Sequence, residues 1–372
     1  MEFKDKNLFT VIEKVGERLE TAEADLIIDN IKDVKEKEII WIWKNVISRN
    51  KITLIAGEPG VGKSQLLLYI ASIVSNGGKF HYASQPIEAA KVLLICGEDN
   101  VDDTIKPRLM ALNANLDNVK HVRGIRKFDS RGNEYFDAIC LIDNLVELES
   151  EIKDKGYGLI IVDPISVYLN SVDENKNKEI RSALAQLTAL IERTNTSLII
   201  NSHFSKPSSS GSSKSAINRI MGSIGTVAAA RVVWGVMKDP EEPKRRLFIP
   251  IKNNIGDDSS GFVYTIKQCI VSEKIATSRI EWLPEKVEKT ANEIMNQSNE
   301  NRTAPQTEKA KEFLLDLLKD GPVFLTEIRR KAQELDITVT RLYAAKEVLK
   351  IQEITSLVRG KGKMWMLPDC TS

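Results

Sequence analysis

The chain has 372 residues, enough for one large domain and one small one at roughly 100 to 200 residues each. Its 42% hydrophobic and 28% charged residues are the composition of a folded globular protein, which excludes the disordered and collagen-like classes. With 53 Lys and Arg against 52 Asp and Glu, any nucleic-acid surface has to be a local concentration of basic residues.

The four cysteines, Cys96, Cys140, Cys269 and Cys370, lack the short paired spacings of a zinc site or a redox dithiol and read as reduced thiols. The N-terminus is charged without an apolar block behind it. No run approaches the ~20 apolar residues of a membrane span, so a cytoplasmic location without membrane contact is expected.

In chain order, residues 1–38 carry Phe9, Ile12, Val15 and Leu19, then Leu26, Ile27 and Ile31, at helical spacing. They predict short helices, either packed on their own core or serving as a subunit-linking arm. From residue 39, apolar runs at 52–56, 92–96, 159–162 and 198–200 alternate with helical stretches at 64–75, 104–112, 144–154 and 180–194. That alternation predicts an α/β fold in which helices cover a mostly parallel sheet. Further strands are expected at 231–237, 247–251, 262–266 and 275–282, with a turn at Asp239-Pro240-Glu241-Glu242-Pro243. Residues 284–306 are poor in apolar side chains and predict a linker. The rest, 307–372, reads as helices at 308–318, 325–335 and 338–350 followed by two short strands around Gly360-Lys361-Gly362, the order of a winged helix-turn-helix.

Chemistry is concentrated at Gly57-Glu58-Pro59-Gly60-Val61-Gly62-Lys63-Ser64, with Gln65 opening the following helix. Glycines let successive backbone N–H groups converge on phosphate oxygens, and the helix directs its positive end at the same anion. Lys63 suits the β- and γ-phosphates and the Ser64 hydroxyl suits Mg²⁺, so the segment predicts nucleotide binding with ATP and Mg²⁺ as cofactors. Asp163 ends a buried run at the carboxyl end of its strand, where it can serve the metal through water.

Glu98 stands in the same relation to the run 92–96 and can orient and deprotonate an attacking water. Asp99 and Asn100 beside it can instead cap the next helix. His203 follows the run 198–200. As a lone histidine it fits a structural role or, from its position, a γ-phosphate sensor. The Ser/Gly-rich segment 206–215 is either a passive surface loop or a DNA-facing one, the second supported by Lys206, Lys214 and Arg219.

These residues resemble the RecA-like ATPases that include the RepA-like hexameric plasmid helicases and related phage and mobile-element proteins. The resemblance covers roughly 39–280 and is most specific at Met221-Gly222-Ser223-Ile224-Gly225-Thr226-Val227-Ala228-Ala229-Ala230-Arg231 and at Pro250-Ile251-Lys252-Asn253-Asn254. It implies a RecA-like P-loop NTPase core over 39–283 and an oligomer, a hexameric ring, acting on single-stranded DNA in replication. It also implies water activation by Glu98, γ-phosphate sensing by His203, a trans-acting arginine finger at Arg231 and an accessory finger at Lys252. Related helicases of the DnaB type carry Lys-x-Arg where this chain has Lys252-Asn253-Asn254, so the second cation is missing and strong unwinding is not implied.

The C-terminal unit resembles winged helices found beside such ATPases, with Arg341, Lys346 and Lys350 on the recognition helix and Arg359, Lys361 and Lys363 in the wing as candidate duplex-DNA contacts. Across 307–372 there are 12 basic and 10 acidic residues, so a protein-interaction module is the alternative. For the whole chain the alternatives are an ATP-switched DNA-binding regulator without unwinding activity and a recombinase-type filament ATPase.

Overall fold

The computed structural model describes residues 28–169, 177–205, 215–220, 223–355 and 362–368, with side chains at 177, 223–224 and 299–306 left aside. The chain divides into two compact units, Met1–Glu38 and Ile39–Ser372. Of the expected N-terminal helices, residues 1–27 lie outside the described residues, and 28–38 form one exposed 3₁₀ turn, Ile31–Asp33.

The second unit begins with a small hairpin, β1 (Trp41–Trp43) and β2 (Ile47–Ser48), then β3 (Ile52–Gly57) and helix α1 (Lys63–Asn76). There follow β4 (Lys91–Cys96), α2 (Lys106–Ala111), β5 (Val119–His121), the hairpin β6 (Ile125–Phe128) and β7 (Glu134–Asp137), α3 (Leu145–Lys155), β8 (Tyr157–Asp163), α4 (Asn177–Thr194) and β9 (Ser197–His203). Next come α5 (Ser223–Ala229), β10 (Val232–Lys238), β11 (Arg245–Asn253), β12 (Gly261–Val271) and β13 (Ile275–Val287). The remainder is α6 (Ala291–Leu318), β14 (Val323–Phe324), α7 (Leu325–Glu334), α8 (Val339–Val348), β15 (Gln352–Thr355) and β16 (Lys363–Met366).

Nine strands form one sheet in the order β13-β12-β11-β10-β3-β9-β8-β4-β5. The six from β10 to β5 run parallel and the other three extend the sheet antiparallel, so the expected α/β core with a mostly parallel sheet is present. Both faces of the parallel part are buried, which is why its strands read as continuous apolar runs.

Side chains nevertheless alternate between two cores. Ile52, Leu54, Leu93, Ile95, Ile160, Val162, Leu198 and Ile200 face α3 and α4, while Ile55, Val92, Leu94, Leu159, Ile161 and Ile199 face α1 and α2. The second core is enlarged by aromatics. Trp43 stacks on Phe80 at 4.7 Å and on Phe262 at 5.5 Å, tying the β1–β2 hairpin to the antiparallel extension.

The segment 284–306, expected as a linker, is the end of β13 and the first half of α6. A capping box starts that helix, with Thr290 Oγ1 accepting from Glu293 N at 3.3 Å and Glu293 Oε2 accepting from Thr290 N at 2.7 Å. Its polar middle separates two apolar ends: Ala291, Ile294 and Met295 enter the large core, and Ala310, Leu314 and Leu318 enter a separate small one. That small core, built round fully buried Trp365, holds α7, α8 and the three-stranded sheet β14-β16-β15. Among the described residues no helix is long and apolar enough to cross a membrane.

Candidate functional site

β3 ends at Gly57 and α1 begins at Lys63, so the residues between them turn over the carboxyl end of the sheet. Two glycines are dictated by shape. A Cβ at Gly57 would collide with the Val236 carbonyl oxygen, and Gly62 has φ +97° with the Ile266 Cδ1 atom 2.6 Å from where its Cβ would be. Pro59 and Gly60 are exposed at the tip, and the backbone N–H groups at the start of α1 face the loop.

Lys63 is buried, and its ammonium donates to the carbonyls of Gly57 at 3.1 Å and Glu58 at 3.0 Å and to His203 Nδ1 at 3.2 Å. An ammonium only donates, so Nδ1 is the acceptor and the ring proton sits on Nε2. Burial lowers the Lys63 pKa, opposed by the charges of Asp163, Glu98 and Glu58. Burial, then the Lys63 charge, lowers that of His203 and keeps its ring neutral at neutral pH.

Sheet register brings the other candidates alongside. Gly57 pairs with His203 across β3 and β9, Val162 with Ile200 across β8 and β9, and Cys96 with Asp163 across β4 and β8. Asp163 therefore lies beside Asn201, whose amide donates to its Oδ1. Ser64, Glu98 and Asp163 line one cavity of about 20 Å³, room for one water-sized species. Glu98 is exposed at its mouth, whereas Asp99 pairs with Arg108 at 2.7 Å. Burial, with Asp163 and Asp99 nearby, pushes the Cys96 thiol up to about 12, so it stays protonated beside these carboxylates.

Hydroxyl and carboxylate oxygens are the donors Mg²⁺ prefers. Among the described residues there is no cluster of three or more His, Cys, Asp or Glu that could hold a metal ion.

Three supports of the site, two on the loop and one on Asp163, escaped sequence reasoning. Arg246 on β11 donates through Nε to Val61 O at 2.9 Å, and buried Tyr264 on β12 donates to Gly62 O at 3.3 Å. Asn201 is the third. Each is set by strand pairing between residues distant in the chain, and no local motif marks them. Gln65 points away from the loop: its amide meets Ser278 Oγ at 2.6 Å and, in the orientation that satisfies both neighbours, accepts from Arg108 Nε at 3.0 Å.

Other candidates lie elsewhere. Arg219, expected beside Lys206 and Lys214 as a phosphate-tracking cation, is buried instead. It pairs with Glu58 at 3.2 Å and donates to Ser205 O at 3.0 Å, because the next residue, Ile220, bridges to Phe204, which directly follows β9. Arg231 and Lys252 sit at the opposite edge of the sheet. Val232 pairs with Thr53 and Val236 with Gly57, which sets Arg231 about 17 Å from the loop at ~3.3 Å per residue. Arg231 is exposed there. Lys252 donates to the carbonyls of Val227 and Ala230, both at 2.8 Å, and so closes the C-terminus of α5.

In the C-terminal unit Lys363 and Lys346 both pair with Glu353, at 2.5 and 3.1 Å, and Lys363, the Trp365 indole N–H and Lys346 together hold its carboxyl down to about 2. Those two cations are occupied within the unit, whereas half-buried Arg341 and exposed Lys350 form no ion pair among the described residues. Lys206, Lys214, Arg359, Lys361, Met221 and Gly222 lie outside the described residues.

The chain is 28% identical over 204 residues to the DNA repair protein RadA of Campylobacter jejuni, a stretch covering 54% of this chain and 39% of that protein. It is 26% identical over 158 residues to the DNA repair protein RadA of Chlamydia muridarum, covering 42% of this chain and 28% of that one. It thus spans well under half the length of these curated relatives. The profile of the AAA domain family AAA_25 matches residues 17–209, which is more than half of the chain and takes in the phosphate loop, Glu98, Asp163 and His203. The chain belongs to that family of P-loop ATPases.

Proposed function

We propose that this protein is an oligomeric, Mg²⁺-dependent ATPase that works on DNA, a RepA-like replicative helicase of a plasmid, phage or other mobile element. The observation that carries the ATPase reading is the convergence of Lys63, Ser64, Asp163, His203 and Glu98 on the carboxyl ends of four adjacent parallel strands. Association with DNA rests on similarity to two proteins named for DNA repair.

In this reading the backbone N–H groups of 60–64 and the Lys63 ammonium take the β- and γ-phosphates. Ser64, with Asp163 through water, would hold Mg²⁺, which neutralises phosphate charge. Glu98 takes a proton from the attacking water, whose oxygen forms the new bond to the γ-phosphorus as the bond to ADP breaks. Asn201 holds the Asp163 carboxylate in place, and His203 Nε2–H is left to donate toward the γ-phosphate.

Arg231 would complete the site of a neighbouring copy in a hexameric ring. Residues 39–283 would be the RecA-like core, with 284–306 joining it to a winged helix-turn-helix at 307–372 that reads duplex DNA or a partner protein.

A second reading, an ATP-switched DNA-binding regulator, is favoured by Lys252. Its ammonium is committed to α5, and Asn254 follows where DnaB-type helicases have arginine. ATP turnover of size-separated oligomers with and without single-stranded DNA tests the first reading, and strand displacement on a forked duplex separates it from the second. Turnover that DNA leaves unchanged in every oligomer would remove the DNA-motor reading.

A further inference from the structure

The hairpin β6–β7 projects just beyond the strand end that carries Glu98. At its base His121 Nε2 lies 2.8 Å from Cys96 O, and Val122 N donates to Leu94 O at 2.9 Å. Its two faces differ. Arg126 pairs with Phe136 and Phe128 with Glu134, so these four side chains share one face. Lys127, Tyr135 and Asp137 share the other with Ile125, where Lys127 and Asp137 form an ion pair at 2.7 Å.

On the first face Phe128 is 64% and Phe136 76% exposed, and no ring among the described residues stacks on either. Two phenylalanines this open on a strand pair of four residues each are not there to build a core.

Basic side chains frame the rings. Residues 119–137 carry five Lys and Arg against three acids. Asp129 is spent inside the turn, accepting from Arg131 N and Asn133 N at 2.8 Å each, and Asp137 is spent on Lys127. Lys120, Arg123, Arg126 and Arg131 are exposed, and only Arg126 has a carboxylate within 4 Å among the described residues, Glu134 at 3.9 Å. Open aromatic faces accept unpaired bases, and flanking cations track the phosphates between them. Paired bases cannot offer their faces, so duplex DNA does not fit.

We infer that the β6–β7 hairpin is a single-stranded nucleic-acid platform, with Phe128 and Phe136 stacking on bases and Arg123, Arg126 and Arg131 meeting the backbone. The inference rests on the DNA-associated reading above and adds where and how the strand is held. It is distinct in sequence from the segment 206–215 and from the C-terminal unit.

The test is binding of a labelled oligothymidine to the full chain with ATP present, at several salt concentrations. Phe128→Ala and Phe136→Ala should each weaken binding about ten-fold, while Phe128→Trp and Phe136→Trp retain it. Arg126→Ala with Arg131→Ala should flatten the logarithmic salt slope by about 0.7 per lost contact, which the phenylalanine variants leave alone. ATP turnover without DNA should be unchanged in all of them, since none touches the phosphate loop.

Wild-type affinity in the Phe128→Ala, Phe136→Ala double variant overturns the platform and leaves the DNA reading standing. Weaker binding accompanied by a smaller oligomer in sedimentation velocity overturns it in favour of a contact between copies. No oligothymidine binding by the wild type sinks the DNA reading, and the platform with it.

Discussion

Lys63 has two competing sets of acceptors. Within the loop it holds the Gly57 and Glu58 carbonyls and His203 Nδ1, and a bound phosphate would draw the ammonium away from all three. The imidazole would then exchange its cationic partner for an anionic one. His203 should therefore titrate below its ordinary value of about 6.5 in the nucleotide-free protein, and higher in Lys63→Ala, where the repelling charge is gone.

With histidines only at 81, 121 and 203, the ring resonances can be assigned by NMR, and equal His203 midpoints in the two proteins would contradict the contact. The sign for stability follows. A histidine whose folded pKa is depressed stabilises the fold above about 6.5, and that contribution is lost as pH falls through the folded value. Glu98 makes a sharper catalytic test because it is exposed and its replacement leaves no hole. Glu98→Gln should keep ATP bound and lower turnover by about 10²-fold or more, the usual worth of a positioned base. Turnover within a few-fold of wild type would return Glu98 to a structural role.

At the scale of elements, the phosphate loop is held from the antiparallel side of the sheet. Arg246 and Tyr264 grip the carbonyls of two successive loop residues, Val61 and Gly62, so the loop keeps its curvature before any ligand binds. Tyr264→Phe should cost about 1 kcal/mol of stability, the worth of one neutral hydrogen bond. Arg246→Ala, which removes a charge-assisted bond, should also weaken nucleotide affinity by about ten-fold, measured by titration with a fluorescent ATP analogue. Unchanged affinity would make Arg246 a support of the Pro243 turn alone, to whose carbonyl it donates at 2.7 Å.

Neither residue was legible in the sequence. The loop, the apolar runs and the carboxylates that end them are local patterns, and strand pairing simply aligned them. Tyr264 reaches across 202 positions and Arg246 across 185, distances no spacing rule spans. Arg219 misled for a related reason, since its charge was visible and its partner Glu58, 161 positions away, was not. At 284–306, expected as a linker, composition did not reveal that most of the stretch is helical. The two ends of that helix are anchored in two different cores.

At the scale of the molecule, the placement of Arg231 separates an assembled enzyme from a self-sufficient one. It is exposed at the amino-terminal edge of the parallel sheet, about 17 Å along the strand from the loop of its own chain, too far for a guanidinium to cross. If it neutralises transition-state charge, it does so in another copy. Arg231→Ala should then keep nucleotide affinity while lowering turnover about 10³-fold, the low end for an arginine finger.

Mixing the Arg231→Ala and Lys63→Ala proteins gives the stronger test. If the protein assembles as proposed, some interfaces of a mixed oligomer pair an intact phosphate loop from one subunit with an intact arginine from its neighbour, although each parent lacks every such pair. Turnover of the mixture should rise well above either parent and vary with the mixing ratio, with subunit exchange followed by native mass spectrometry. If mixed oligomers form and the mixture stays as inactive as its parents, Arg231 does not act across an interface. Its role would then be confined to the start of β10, where its carbonyl accepts from Asn254 N at 3.0 Å.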